Sequence, residues 1–189
     1  MTLLGFFASL FGLIYCLGAV YEKSWSWYAG IVNVILYGYY CYSIKLYGEL
    51  GLQAVYLVLS IVGLLNWNLN KEDKISYSKA ELLVVVGFSL LVFAICYIFL
   101  LQSIFHSLFP VVDGLLVALS LGATYLAIRK KIENWVIWIP VNFSYVILYI
   151  IVGEWPLVIQ FLVFGIMAVF GFLTWNRVLN NVQNSSNRT

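Results

Sequence analysis

Long apolar stretches separated by short polar breaks set the pattern of this chain. Seven of them run over 3–21, 26–44, 50–68, 81–105, 111–128, 135–152 and 156–175. They lack the period-two alternation of strands, and each approaches the roughly 20 residues a helix needs to cross a hydrocarbon core. Backbone groups in lipid must be satisfied within their own segment, so the pattern predicts an all-α integral membrane protein of seven transmembrane helices. Pro110 and Pro156 fall near span starts, where a missing N–H costs little. Pro140 falls inside the sixth span and predicts a kink there. The opening MTLLGFFASLFGLIY has no basic n-region and no small-residue cleavage site, and reads as a retained first span.

Composition agrees. The chain is 63% hydrophobic and 10% charged, where soluble domains carry about 25% charged residues. The net charge of +2 says less than its placement. Lys23, Lys71, Lys74, Lys79, Arg129, Lys130, Lys131, Arg177 and Arg188 all fall after odd-numbered spans, and only Lys45 falls at the opposite ends. The positive-inside rule makes the crowded side cytoplasmic, with the N-terminus outside and the C-terminus inside. Cys16, Cys41 and Cys96 lie in apolar runs without metal-ligand or disulfide spacing. The connector NKEDKISYSK reads as a solvated loop and NNVQNSSNRT as a frayed polar end.

Two segments echo each other. GLLNWN at 63–68 matches GFLTWN at 171–176, an offset of 108 at which Lys23 also meets Lys131 and Leu13 meets Leu121. With small gaps Asn33 pairs with Asn142 and Gln53 with Gln160. Spans one to three then repeat as spans five to seven, and the single extra crossing gives both triplets one orientation. The predicted organisation is a 3+1+3 parallel repeat: 1–70 a first three-helix bundle, 71–110 a cytoplasmic loop and linker helix, 111–177 a second bundle, 178–189 a polar tail. Such repeats place a substrate cleft between the bundles near mid-bilayer.

Candidate chemistry lies in stripes at helical spacing. Trp135, Trp138, Asn142, Tyr145 and Tyr149 share a face of the sixth span; Gln53, Tyr56, Ser60 and Trp67 share one of the third. Asn33 and Tyr37 lie on the second span and Gln160 on the seventh. The amides either bond across helices as packing glue or line a polar cavity. Trp25, Trp27, Trp67, Trp155 and Trp175, all near span ends, fit an interfacial belt; Trp138 lies about 4.5 Å deeper than Trp135 and fits it less well. Rings and amides without full charges suit a flat, partly polar ligand, since indoles attract cations and amides read ring nitrogens and hydroxyls. Glu133 beside Lys130 and Lys131 reads as an ion pair at the membrane face. The lone His106, near Asp113, builds no catalytic constellation, and no HExxH or GxSxG motif is present, so an enzyme is disfavoured.

The run ENWVIWIPVN, after RKK and before a Tyr-rich helix, resembles the Pnu family of bacterial vitamin transporters, whose sixth core helix carries a WxxW followed by an amide. Trp135, Trp138 and Asn142 are that pattern here. The first-repeat counterpart is Tyr28, Gly30 and Asn33, and the third-helix LQ is Leu52 and Gln53. The resemblance covers about residues 5 to 177. It implies a fold like the SWEET sugar carriers and vitamin uptake by facilitated diffusion, with substrate trapped by a cytoplasmic kinase. No cofactor, metal or nucleic acid is implied, and a homo-oligomer is compatible. Ser60, Gly63 and Leu64 on the third helix, and Phe170 and Gly171 on the last, depart from the nicotinamide riboside branch. The ending FGFLTW is more like the thiamine branch, so thiamine is the expected substrate and nicotinamide riboside the alternative. Riboflavin or a deoxynucleoside comes after these, and a non-transporting receptor or scaffold is the competing class.

Overall fold

The computed structural model describes residues 3–43, 47–70, 73–100 and 110–186. Lys45, Lys71, His106 and Arg188 lie outside them, as do the side chains of Glu49, Cys96 and Asp113. The described chain forms α1 (Leu3–Val20), α2 (Ser26–Ser43), α3 (Tyr47–Leu69), α4 (Lys79–Leu100), α5 (Pro110–Ile128), α6 (Glu133–Val152) and α7 (Trp155–Ser186). All seven expected helices are present. The seventh runs on through most of the expected frayed end, because no Gly or Pro interrupts it after Gly171. Among the described residues, four helical stretches are long and apolar enough to cross a membrane by length and composition alone, Leu3–Val20, Leu50–Leu69, Glu133–Val152 and Trp155–Asn181. The α2 helix is long enough but carries Asn33 and a run of tyrosines and serines that lower its hydropathy. Pro140 lies inside α6. That helix ends at Gly153, whose φ of 82° only glycine adopts freely, and the Glu154 amide closes back on the Tyr149 carbonyl at 3.0 Å. The tight stop folds α7 back against α6.

Packing closes six helices into a ring in the order α1, α2, α3, α5, α6, α7, with α7 returning to α1. The remaining helix, α4, packs outside this ring on α5. A side chain at Gly122 would collide with Val85, and the Ser89 hydroxyl donates to the Ala118 carbonyl at 3.0 Å. A small residue on one helix and a hydroxyl on the other let the backbones approach, as membrane helices require when apolar burial alone drives no association. The ring has two seams between its early and late helices, α3 on α5 and α7 on α1.

The charged turns gather at one end of the ring, here called the basic end. There Glu22 (φ 53°) and Lys130 (φ 50°), 108 residues apart, both adopt the left-handed conformation. Lys23 N–H donates to the Gly18 carbonyl at 2.8 Å and Lys131 N–H to the Leu126 carbonyl at 2.9 Å, again 108 apart. The connector between α3 and α4 is not the solvated loop its charge suggested. Ile75 is buried in the core, Ser76 N–H donates to the Lys130 carbonyl, and Ile132 N–H donates to the Ser76 carbonyl, so 73–78 is strapped across the α5–α6 turn. The ion pair expected of Glu133 is also displaced. Its carboxylate is buried and accepts the Ser78 N–H, while Lys131 Nζ pairs with Glu81 at 3.2 Å and Arg129 with Glu81 at 3.8 Å. The Ser78 hydroxyl in turn accepts the Glu81 N–H at 3.2 Å and caps α4. Capping fixes Glu81 near the lysine and leaves Glu133 to the strap.

Candidate functional site

Four indoles sit together at the basic end. Trp27 on α2 meets Trp67 on α3 edge to face, centroids 5.6 Å apart at 85°. Trp135 on α6 meets Trp175 on α7 at 5.5 Å and 87°. Each first indole rests on a glycine of the neighbouring helix: a Cβ at Gly63 would lie 2.6 Å from the Trp27 ring, and one at Gly171 2.7 Å from the Trp135 ring. Each second indole reaches across a seam. Trp67 Nε1 donates to the Ala127 and Ile128 carbonyls at 3.2 and 3.1 Å, and Trp175 Nε1 to the Val20 carbonyl at 3.0 Å. Trp27 and Trp135, Gly63 and Gly171, Trp67 and Trp175, and the acceptors Val20 and Ile128 each stand 108 residues apart, and the second acceptor of Trp67, Ala127, has no counterpart. Trp27, Trp67, Trp135 and Trp175 are 1%, 2%, 5% and 1% exposed, so three of the five tryptophans assigned to an interfacial belt belong to the core instead. Trp25 and Trp155, half-exposed or more, do fit such a belt. Among the described residues, the buried indole N–H groups of Trp27 and Trp135 have no hydrogen-bond partner.

The strict offset changes the expected pairing. The counterpart of Trp135 is Trp27, not Tyr28, whose ring is exposed. Asn33 and Asn142 do not play equivalent parts: Asn33 Nδ2 donates to the Ala8 carbonyl on α1 at 2.7 Å, whereas Asn142 Nδ2 donates to the Trp138 carbonyl of its own helix at 2.7 Å. The first is glue between helices. The second holds a buried amide beside Trp138, keeping its oxygen as an acceptor.

The remaining candidates divide by height in the ring. Trp138 is half-buried and packs on both core clusters, one formed by the four indoles and the other between α4, α5 and α6. Gln53 and Ser60 are buried on α3, and Tyr56 is half-buried between them. Tyr145 and Tyr149 lie toward the opposite end and stack with Phe161 of α7, at 4.6 and 5.4 Å. Phe161 meets Phe164 at 6.2 Å, and Phe164 closes on Gly12 of α1. Neither phenylalanine stood out in the sequence, since a phenylalanine in an apolar helix carries no signal of its own. Tyr37 is partly exposed, its ring 6.0 Å from Tyr40. The Gln160 side-chain oxygen accepts the Ser9 hydroxyl at 2.7 Å, in a groove between α1 and α7 walled by Phe6, Leu10, Leu13, Ile159 and Val163. Gln53 and Ser60 are thus buried on α3 and Asn142 on α6, while Asn33 and Gln160 serve contacts of α2 and α7 with α1 and Tyr37 meets Tyr40 on its own helix.

Electrostatics concentrate at the basic end. Lys130 is buried with its ammonium 5.5 Å from the Trp67 ring centre and donates to the Asp73 carbonyl at 2.7 Å. Burial raises the Glu22 carboxyl above its usual range, opposed by Lys130 and Lys23. Phe170, one of the residues used to choose a substrate, is 43% exposed with its ring 6.4 Å from Tyr21. It packs toward Tyr21 beyond the end of α1 and belongs to neither core cluster.

Residues 2–177 match the model of a family described as nicotinamide mononucleotide transporter. The nicotinamide riboside transporter PnuC of Neisseria mucosa is 31% identical, the match covering 79% of this chain and 63% of that protein, so the chain spans less than two thirds of that relative. The nicotinamide riboside transporter PnuC of Escherichia coli is 26% identical over 85% of this chain and 80% of its own. Among solved structures, the crystal structure of the vitamin B3 transporter PnuC is similar with a TM-score of 0.76 and 26% identity, over 94% of this chain and 82% of that one.

Proposed function

The chain belongs to the nicotinamide mononucleotide transporter family, and from that membership we propose that it is a membrane transporter that takes up nicotinamide riboside. The observation that carries the reading is the similarity to the vitamin B3 transporter along 94% of this chain. Both curated relatives described above are named for nicotinamide riboside. The thiamine expectation, which leaned on Ser60, Gly63 and Leu64 of α3 and on Phe170 and Gly171 of α7, gives way to the relatives' names; Gly63 and Gly171 are explained by the Trp27 and Trp135 rings packed on them, and Ser60 still offers a hydroxyl to the site.

The chemistry suits the riboside. Its pyridinium ring is flat and cationic, and the Trp138 indole offers a face worth about 2 kcal/mol or more to a desolvated cation. Asn142 beside it, with Gln53, Tyr56 and Ser60 on α3, supplies donors and acceptors for a carboxamide and ribose hydroxyls. Trp135 backs the site by fixing α6 against α7, and Tyr145 and Tyr149 line the approach from the opposite end. Asn33 and Gln160 act at one remove, by tying to α1 the helices α2 and α7 that flank α3 and α6, and Tyr37 stands beside Tyr40 on α2. The two three-helix units are proposed as a parallel repeat joined by α4, as in the SWEET carriers; the recurrence of turns and indole pairs at one offset supports this. The basic end faces the cytoplasm, flux is downhill, and a cytoplasmic kinase traps the product. No ion coupling is needed for that scheme.

Titration calorimetry of the purified protein tests the substrate. Riboside binding that excess thiamine does not displace is the expected result, and Trp138→Ala should weaken it about thirtyfold without loss of the folded state. Displacement by thiamine at equal concentration would return the substrate to the other branch.

A further inference from the structure

We infer that Trp67 and Trp175 are paired latches that hold the ring shut at its basic end, and that release of substrate toward that end requires both to let go. The inference deepens the transporter reading and takes its meaning from it. The ring has two seams, and each is bridged at the basic end by one indole N–H: Trp67 from α3 to the end of α5, Trp175 from α7 to the end of α1. The accepting carbonyls of Val20 and Ile128 belong to the last residues of their helices, where no further helical N–H follows. Once a seam opens, water can satisfy such an acceptor, so the latch is strong in the closed ring and inexpensive to break.

Two comparisons separate these bonds from ordinary helix glue. The first is within the indole set. Trp27 and Trp135 are about as buried as their partners but donate to no group among the described residues, so the geometry reserves hydrogen bonding for the two indoles that cross seams. The second is along the α7–α1 seam. Ser9 and Gln160 bridge it near the opposite end at 2.7 Å, but the residues 108 positions away are Val117 and Leu52, whose side chains can form no such bond. Among the described residues, only the basic-end bridges therefore come as an equivalent pair, one per seam. A substrate moving past Trp138 toward that end meets the indoles next, since Trp135 is one turn nearer the α6 start.

The test uses the full chain in vesicles of one orientation, with the three cysteines replaced by alanine and a reporter placed at the buried Ser60 (Ser60→Cys). A membrane-impermeant maleimide is applied from either side. Trp67→Phe and Trp175→Phe keep an aromatic ring and remove the donor. Labelling from the basic side should rise about fivefold in each and about thirtyfold in the double variant, the factors expected of one and two lost hydrogen bonds. Labelling from the other side should not change, and Trp155→Phe, at an exposed ring, should match the parent on both sides. Unchanged basic-side labelling in the double variant overturns the inference, and so does an equal rise from both sides, which would mean general loosening. Should the phenylalanine variants fail to fold, benzothienylalanine at both positions keeps the indole shape and removes only the N–H. Labelling needs no ligand. Failure of riboside binding would overturn the substrate while leaving the latch to stand or fall on its own result.

Discussion

At the basic end, the α1–α2 turn and the α5–α6 turn share one backbone. Each has a left-handed residue at its apex, Glu22 or Lys130, and the following amide reaches back to a carbonyl near the end of its helix. What lies over them differs. The second turn is covered by the 73–78 strap, with Ile75 packed among the indoles, Lys130 on the Asp73 carbonyl and Lys131 on both Ser76 Oγ and Glu81. The first has an exposed Lys23, a half-buried Glu22 and one long contact of 3.4 Å from the Ser24 hydroxyl to the Trp67 carbonyl. The comparison teaches that local hydrogen bonds decide the shape of a turn, and the covering segment decides how firmly it is held. The clamped turn leads into α6, the helix that carries Trp138 and Asn142. The bare turn leads into α2.

The strongest way to break the equivalence of the two halves lies beneath the indoles. Gly171→Ala and Gly63→Ala each drive a methyl into a ring, and overpacking of that kind costs about 1–3 kcal/mol. Thermal melting in detergent should show similar losses for both, while riboside affinity falls more for Gly171→Ala because Trp135 shares α6 with the proposed site. A loss confined to one of the two would mean that the halves carry unequal strain. The clamp itself is probed more gently. Lys131→Ala should cost about 1–2 kcal/mol, since it strips a mostly buried ammonium from Ser76 and Glu81. Lys23→Ala, at the matching position of the bare turn, should stay within about 0.5 kcal/mol. Equal effects in denaturant titrations would remove the distinction between clamped and bare.

The smallest effect concerns pH. Burial raises the Glu22 carboxyl above its unfolded value, so the folded protein holds that proton more tightly than the unfolded chain. Its contribution is therefore full below the unfolded pKa and is lost as pH rises through the folded one. Glu22→Gln removes the titration. Its melting temperature should exceed the parent's slightly at neutral pH, and the difference should vanish on acidification. A difference that persists in acid would assign the effect to packing rather than charge.

Much of this architecture is legible in the chain. Apolar run length marks all seven helices to within a few residues at most starts, because the lipid leaves a spanning segment little freedom. The offset of 108 is visible in GLLNWN and GFLTWN, and it already pairs Trp67 with Trp175. Trp27 was obscured because the amides were allowed gaps to match, although identical side chains can do different work, as Asn33 and Asn142 do. The strap was hidden for another reason. Its charges look like those of any solvated loop, and a single Ile75 among them does not reveal that the segment docks. Phe170 misled by position alone, since a residue's distance along a helix does not say what its side chain packs against.

The four buried indoles also make the molecule its own optical gauge. Two edge-to-face pairs with centroids about 5.5 Å apart are close enough for their near-ultraviolet transitions to couple, and the unbonded rings of Trp27 and Trp135 sit in apolar surroundings that shift indole emission toward the blue. Separation of the halves at the basic end would wet these rings and uncouple them. Circular dichroism and intrinsic fluorescence of the unlabelled protein would then register the closed and open ring as two spectra.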